Sequence, residues 1–185
     1  MFPQRIECSS CLLRSWSAQD RATLLRHANN RNIWRNLRDR FPHPYLEPDA
    51  DAWLDRVAIA PPPEGIYAID VAGEAVGSIG IERRTDVQRC SAEVGYWLAE
   101  AHWGRGIATE ALRAVTAAAL AEPDLWRLDA TVFAWNTASM RVLEKCGYRR
   151  EGLLVRGAIK DGVAVDQILY AITREPGLPR ISAGG

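Results

Sequence analysis

One stretch of the chain restricts its fold more than any other. A strand pattern over Ala92–Leu98 leads through the turn Gly104-Arg105-Gly106 into a long apolar-striped helix and then a second strand at Leu128–Phe133. In the first strand Ala92, Val94, Tyr96 and Leu98 share one face, and Glu93, Gly95 and Trp97 share the other. The helix is expected over Gly104–Ala121, with Ile107, Ala108, Ala111, Leu112, Val115, Ala118 and Ala119 on one stripe and Pro123 as its stop. Strand, helix and strand in that order make a crossover connection, which places two parallel strands in one sheet. The glycine turn then lies where the chain leaves its strand, the end at which such sheets tend to bind ligands.

The flanking segments are of another kind. Ile66–Val71 and Val76–Ile81 bracket the turn Ala72-Gly73-Glu74, and Tyr148–Ile159 and Val165–Thr173 bracket Lys160-Asp161-Gly162, so both pairs read as antiparallel hairpins. Upstream, Cys11–Trp16 alternates as a strand, and Ser17 caps a helix over Ala18–Ala28 with Leu24 and Leu25 inward. A short helical piece covers Asn32–Leu37. Phe41-Pro42-His43-Pro44-Tyr45 cannot be regular, and Asp49–Ile59 is helical with Trp53, Leu54 and Val57 at helical spacing until Pro61-Pro62-Pro63. Thr137–Cys146 is an amphipathic helix with Gly147 as its stop. The expected class is α/β (α+β): a mixed, mostly antiparallel central sheet flanked by helices, with the parallel crossover at a ligand cleft. A single domain is expected over 1–174, with residues 175–185 as a flexible tail.

Composition narrows the partners. Of 185 residues, 48% are hydrophobic and 25% charged, and 23 basic residues balance 23 acidic ones. A formal charge of zero gives no reason to expect nucleic acid as the main partner. No apolar run approaches the ~20 residues of a membrane span, and the first residues hold no signal-like apolar core, so the expected location is cytoplasmic. The cysteines at 8, 11, 90 and 146 include the close pair Cys8-Ser9-Ser10-Cys11, but no second close pair or nearby histidine completes four zinc ligands. They read as reduced thiols, and no metal is expected.

The turn has the chemistry of an anion site. A helix N-terminus offers N–H groups without intrahelical partners and the positive end of the helix dipole. Gly104 and Gly106 remove the side chains that would hold a ligand off that backbone, Arg105 adds a counter-charge and Thr109 a hydroxyl. A tight loop that needs glycine for geometry alone is the competing reading. Two nucleotide motifs are excluded. A triphosphate loop ends in Gly-Lys-Ser/Thr, whereas Ile107-Ala108 follows Gly106, and a dinucleotide fingerprint needs a third glycine where Thr109 stands.

A second block decides between the readings. Asn136 is placed to cap the helix over Thr137–Cys146, and Ser139 lies one turn on, so both can face the same cleft. Taken together, Glu93-Val94-Gly95-Tyr96-Trp97-Leu98, then Trp103 through Ala111, then Asn136 through Tyr148 resemble the GNAT superfamily of N-acetyltransferases. The resemblance runs from about Leu12 to Thr173 and is strongest to the branch containing ribosomal-protein serine/alanine N-terminal acetyltransferases. Trp103 stands where the superfamily usually has Gln or Arg, a substitution common in that branch.

The resemblance implies acetyl-CoA as donor and direct attack by a primary amine, either a protein N-terminus or a small molecule. It implies cofactor contacts from Trp97, Leu98, Trp103, Gly104, Arg105, Gly106, Ile107, Ala108, Thr109, Asn136, Ser139 and Lys145. The oxyanion donor would be a backbone N–H around Trp97-Leu98, on a strand that also pairs with the pantetheine amides. Ser139 is the first candidate for the acid at the leaving sulfur and Tyr148 its competitor; Glu93 is the candidate base and His43 an alternative. The bland readings are a helix-start serine, a strand-start aromatic and an ion-paired glutamate. A catalytically silent acyl-CoA sensor on the same fold is the alternative function. Monomer and homodimer stay equally open.

Overall fold

A computed structural model describes residues 3–59 and 66–174. Its elements are β1 (Ile6–Glu7), β2 (Leu12–Arg14), α1 (Arg21–Ala28), α2 (Arg31–Trp34), α3 (Glu47–Ile59), β3 (Ile66–Val71), β4 (Glu74–Arg83), β5 (Ser91–Leu98), α4 (Ile107–Leu120), β6 (Arg127–Phe133), α5 (Thr137–Lys145), β7 (Arg149–Lys160) and β8 (Val163–Thr173). Among the described residues they build one eight-stranded sheet in the order β1-β2-β3-β4-β5-β6-β8-β7. Every neighbouring pair is antiparallel except β5 and β6, which are parallel. The mixed, mostly antiparallel α/β architecture with one crossover therefore stands as read from the sequence.

The periodic segments form where the pattern places them because each has one face to bury. On α4, Ile107, Ala111, Leu112, Val115 and Ala119 are buried and join Val94 and Leu98 of β5 and Leu128 of β6 in the main core. Removing a large aliphatic side chain of this kind from water contributes about 1.5–3 kcal/mol. A second, smaller cluster lies under α1 and α3, where Leu24, Ala28, Tyr45 and Ala50 pack with Trp16, Phe41, Trp53 and Trp97. Tyr96 and Trp97 thus point to opposite sides of the sheet, as strand parity requires.

Several boundaries differ from expectation, each for a local reason. The helix expected from Gly104 begins at Ile107, because Gly104 and Gly106 have φ of 75° and 81° and cannot continue a right-handed helix. The helix expected over Ala18–Ala28 starts as a 3-10 turn, Ala18–Asp20, in which Ser17 and Asp20 form a reciprocal capping box. β1 was not foreseen; it is two residues long and pairs only with β2. The stop at Gly147 holds: its φ is 86°, and Tyr148 N–H reaches back to the Leu143 carbonyl at 3.1 Å. Pro61-Pro62-Pro63 and the expected tail lie outside the described residues. No helix among the described residues is long and apolar enough to cross a membrane, and none of their side chains form a group of three or more that could hold a metal ion.

Candidate active site

The parallel ladder between β5 and β6 is short. It pairs Ser91 with Arg127, Ala92 with Leu128 and Glu93 with Asp129, and then stops. Beyond it β5 follows β4 to Leu98, while β6 follows β8 to Phe133, so the two strands part like the arms of a V. The closed end is pinned by Asp129, which is buried and takes two hydrogen bonds from the Arg84 guanidinium at 2.5 and 2.7 Å. The open end is a cleft of about 1300 Å³ that runs through the sheet and is lined from both faces.

Backbone alternation decides what the open arm of β5 offers. Ala99 N–H donates to the Val76 carbonyl, so residues of that parity, Trp97 among them, spend their amide groups on β4. Tyr96 and Leu98 have the opposite parity and turn theirs toward the gap that β6 has left. The Leu98 carbonyl there accepts the Trp103 indole N–H at 2.7 Å. The Leu98 N–H remains as the donor facing the cleft. Of the pair Trp97-Leu98, Leu98 is therefore the one whose N–H faces the cleft, and Trp97 packs its ring against Phe41, 5.7 Å between centroids.

Past Trp103 the chain turns through Gly104 and Gly106 into α4. Gly106 is the N-cap, and no side chain caps the helix. A Cβ built at Gly104 or Gly106 meets nothing within 4 Å. The positive φ values account for the glycines by geometry, and the open space is the cleft itself, which Gly104, Gly106, Ile107, Ala108 and Thr109 line. Ile107 is buried, so it presents only its backbone. Arg105 is exposed and lies outside the lining of the cleft. The opposite arm is finished in another way: Asn136 Oδ1 accepts the Ser139 N–H at 3.1 Å and caps α5. Asn136, Ser139 and Lys145 line the same cleft.

The candidate acid and base separate clearly. Ser139 Oγ lies 2.8 Å from the Tyr96 hydroxyl. Tyr148 does not reach the cleft. It is 2% exposed, its hydroxyl pairs with Thr116 Oγ1 at 2.9 Å in the core, and burial pushes its phenol well above the ordinary range. The expected role of Tyr148 as an acid is withdrawn on that placement. Glu93 lines the cleft on the Trp97 side, where Arg38 forms an ion pair with it. His43 stacks beside Trp34 and does not line the cleft.

Two participants escaped the sequence. The sequence pattern places Tyr96 on one face with Val94 and Leu98, and that face carries α5 and Ser139. Arg38 comes from an irregular segment 55 residues away from Glu93, and no local pattern marks it. The cysteine pair sits at the β1–β2 turn, with burial raising both thiols and Cys11 pushed up to about 12.

Comparison with known proteins agrees with this geometry. A family model described as Acetyltransferase (GNAT) domain matches residues 11–149. The "Probable N-acetyltransferase YjcK" of Bacillus subtilis (strain 168) is 44% identical over 82 residues, covering 44% of this chain and 45% of that protein. The ribosomal-protein-serine acetyltransferase of Escherichia coli (strain K12) is 32% identical over 106 residues, covering 57% and 59%. These matches span about half the length of the curated relatives. Among solved structures, Mycobacterium smegmatis RimJ in complex with CoA-disulfide superposes with a TM-score of 0.76 at 31% identity, over 88% of this chain and 81% of that one. With a family model over most of its length and the split sheet that the motifs imply, the chain belongs to the GNAT acetyltransferase family.

Proposed function

We propose that this protein transfers the acetyl group of acetyl-CoA to a primary amine by direct attack. The observation that carries the reading is the V between β5 and β6, whose open backbone edge at Tyr96 and Leu98 leads directly to the uncapped N-terminus of α4. An extended amide chain fits such an edge as an added strand, and a pyrophosphate fits the helix end. Leu98 N–H would meet the developing oxyanion, Ser139 the leaving sulfur and Glu93 the proton of the attacking amine. Asn136 and Lys145 border the donor's path, and Trp103 fixes the loop above it.

The acceptor would enter from the side of Trp97, Phe41 and Glu93. Arg38 occupies the Glu93 carboxylate there, and an incoming ammonium is the natural replacement for its charge. Relatives named for ribosomal acetylation make a peptide α-amine the first acceptor to test, with small amines beside it. The test is thiol release from acetyl-CoA against a panel of both, with mass spectrometry of the products. Acetyl-CoA binding without turnover on any amine would leave the silent-sensor alternative in its place.

Two variants probe the assignment. Gly106→Val should raise the KM for acetyl-CoA by about tenfold or more, equivalent to about 1.4 kcal/mol, because a branched side chain at a φ of 81° strains the turn and crowds the cleft wall where the pyrophosphate would lie. Normal acetyl-CoA affinity in a folded Gly106→Val protein would remove the pyrophosphate assignment. Glu93→Gln should lower kcat by at least about tenfold while leaving acetyl-CoA affinity intact, as loss of a general base does; an unchanged rate would take Glu93 out of that role.

A further inference from the structure

Ser139 is held from two sides. Its amide hydrogen is committed to Asn136 Oδ1 at 3.1 Å, which fixes the backbone. The Tyr96 hydroxyl lies 2.8 Å from its Oγ and 3.3 Å from its carbonyl oxygen, which leaves the hydroxyl rotor little freedom. Tyr96 stands on the arm of β5 whose backbone faces the gap, so one residue joins the donor-binding strand to the helix that carries the candidate acid. A serine hydroxyl is a poor acid, and its usefulness at a leaving sulfur depends on where its proton points.

We propose that Tyr96 is a positioning residue that donates to Ser139 Oγ and thereby turns the serine proton into the cleft, toward the sulfur of the departing thiolate. The inference rests on the acetyl-transfer reading above. The geometry sets the direction of the hydrogen bond. The Ser139 carbonyl oxygen can only accept, so the single phenol proton already points at Ser139, and of the two acceptors it meets there Oγ is the nearer, 2.8 Å against 3.3 Å. Burial pushes the Tyr96 phenol above its ordinary range, so it keeps that proton. For the same reason Tyr96 is not the proton source, since giving up its proton would leave a buried phenolate. In the step itself the C–N bond forms as the C–S bond breaks and the electron pair leaves on sulfur. The amine proton passes to the Glu93 carboxylate, and the thiolate departs hydrogen-bonded to Ser139.

The test is a double-mutant cycle on the full chain with acetyl-CoA and whichever amine the wild type acetylates best. Tyr96→Phe keeps the ring and removes only the hydroxyl. It should lower kcat about tenfold and leave the KM for acetyl-CoA within about twofold, the signature of an interaction made in the transition state. Ser139→Ala should lose at least as much, and adding Tyr96→Phe to it should cost nothing further, because the tyrosine acts only through the serine. Losses that multiply, an unchanged kcat in Tyr96→Phe, or a loss confined to KM would each overturn the positioning role while leaving acetyl transfer standing. Should Tyr96→Phe fail to melt cooperatively, the same cycle run with Tyr96→Met decides by the same criteria. A wild type that releases thiol with no amine overturns the transfer reading and the positioning role together.

Discussion

Gly77→Val should melt far below the wild type, and whatever fraction folds should turn over at least about 100-fold more slowly. Gly77 lies on β4 opposite Leu98, at the free end of the arm that forms the donor edge. A Cβ there would stand 2.4 Å from the Trp97 carbonyl oxygen and 3.1 Å from the Leu98 Cα. Both are backbone atoms in a paired strand, so neither can swing aside as a side chain would. Relief requires β4 and β5 to move apart, and overpacking of this kind costs about 1–3 kcal/mol or more. The displaced segment is the one that aims Leu98 N–H into the cleft. A misplacement of about 1 Å at a reacting centre is enough for the expected rate loss. Gly95 is the control for stability: a Cβ there meets nothing within 4 Å, so Gly95→Ala should melt close to the wild type. Thermal unfolding followed by thiol-release kinetics checks both, and a Gly77→Val protein with wild-type melting would show that the two strands have room to spare.

Gly77 also shows why the site was only partly legible in the sequence. The elements that could be read are those whose signal is periodic and local: the α4 stripe, the alternation in β5 and the asparagine cap of α5. The family motifs are of the same sort, since each is contiguous in the chain. What could not be read is set by pairing across the sheet. Gly77 looks like any strand glycine until the register brings Leu98 opposite it. Tyr96 meets Ser139 across 43 residues, a contact that its alternation with Val94 and Leu98 does not announce. Tyr148 failed the other way, because an aromatic next to the serine helix suggested chemistry while its place between the Gly147 stop and β7 sends the ring under α4 to Thr116. The late start of α4 has a simpler cause. An apolar stripe says which face is buried but not where backbone handedness first permits a helix, and two positive φ values postpone it to Ile107.

Arg14→Met should cost about 3–5 kcal/mol at neutral pH, the typical result of removing one partner from a buried ionic cluster. Arg14 on β2 donates to both oxygens of Asp20 at 2.8 Å and to Asp70 at 2.7 Å. Both carboxylates are nearly buried, 5% and 6% exposed. Each does a second task, Asp20 accepting from Ser17 N–H at the helix start and Asp70 from Gly73 N–H at the hairpin turn. The guanidinium therefore ties three elements together, and methionine would fill its volume while leaving two charges without a cation. The dependence on pH separates this from a packing defect. Burial alone would raise the Asp20 carboxyl, but the hydrogen bonds from Arg14 and Ser17 outweigh it and hold it below the ordinary 3.8. In the wild type the unfolded chain then binds the proton more readily, so this stabilisation is complete above pH 3.8 and is lost as the pH falls through the folded value. Without Arg14 the burial remains and only the Ser17 hydrogen bonds oppose it, so the Asp20 carboxyl rises and the folded variant takes up a proton more readily than the folded wild type does as the pH is lowered from 7 toward 4. Urea unfolding of both proteins across that range should show the gap closing with acidity. A gap that stays below about 1 kcal/mol and does not change with pH would mean the cluster behaves like an exposed ion pair.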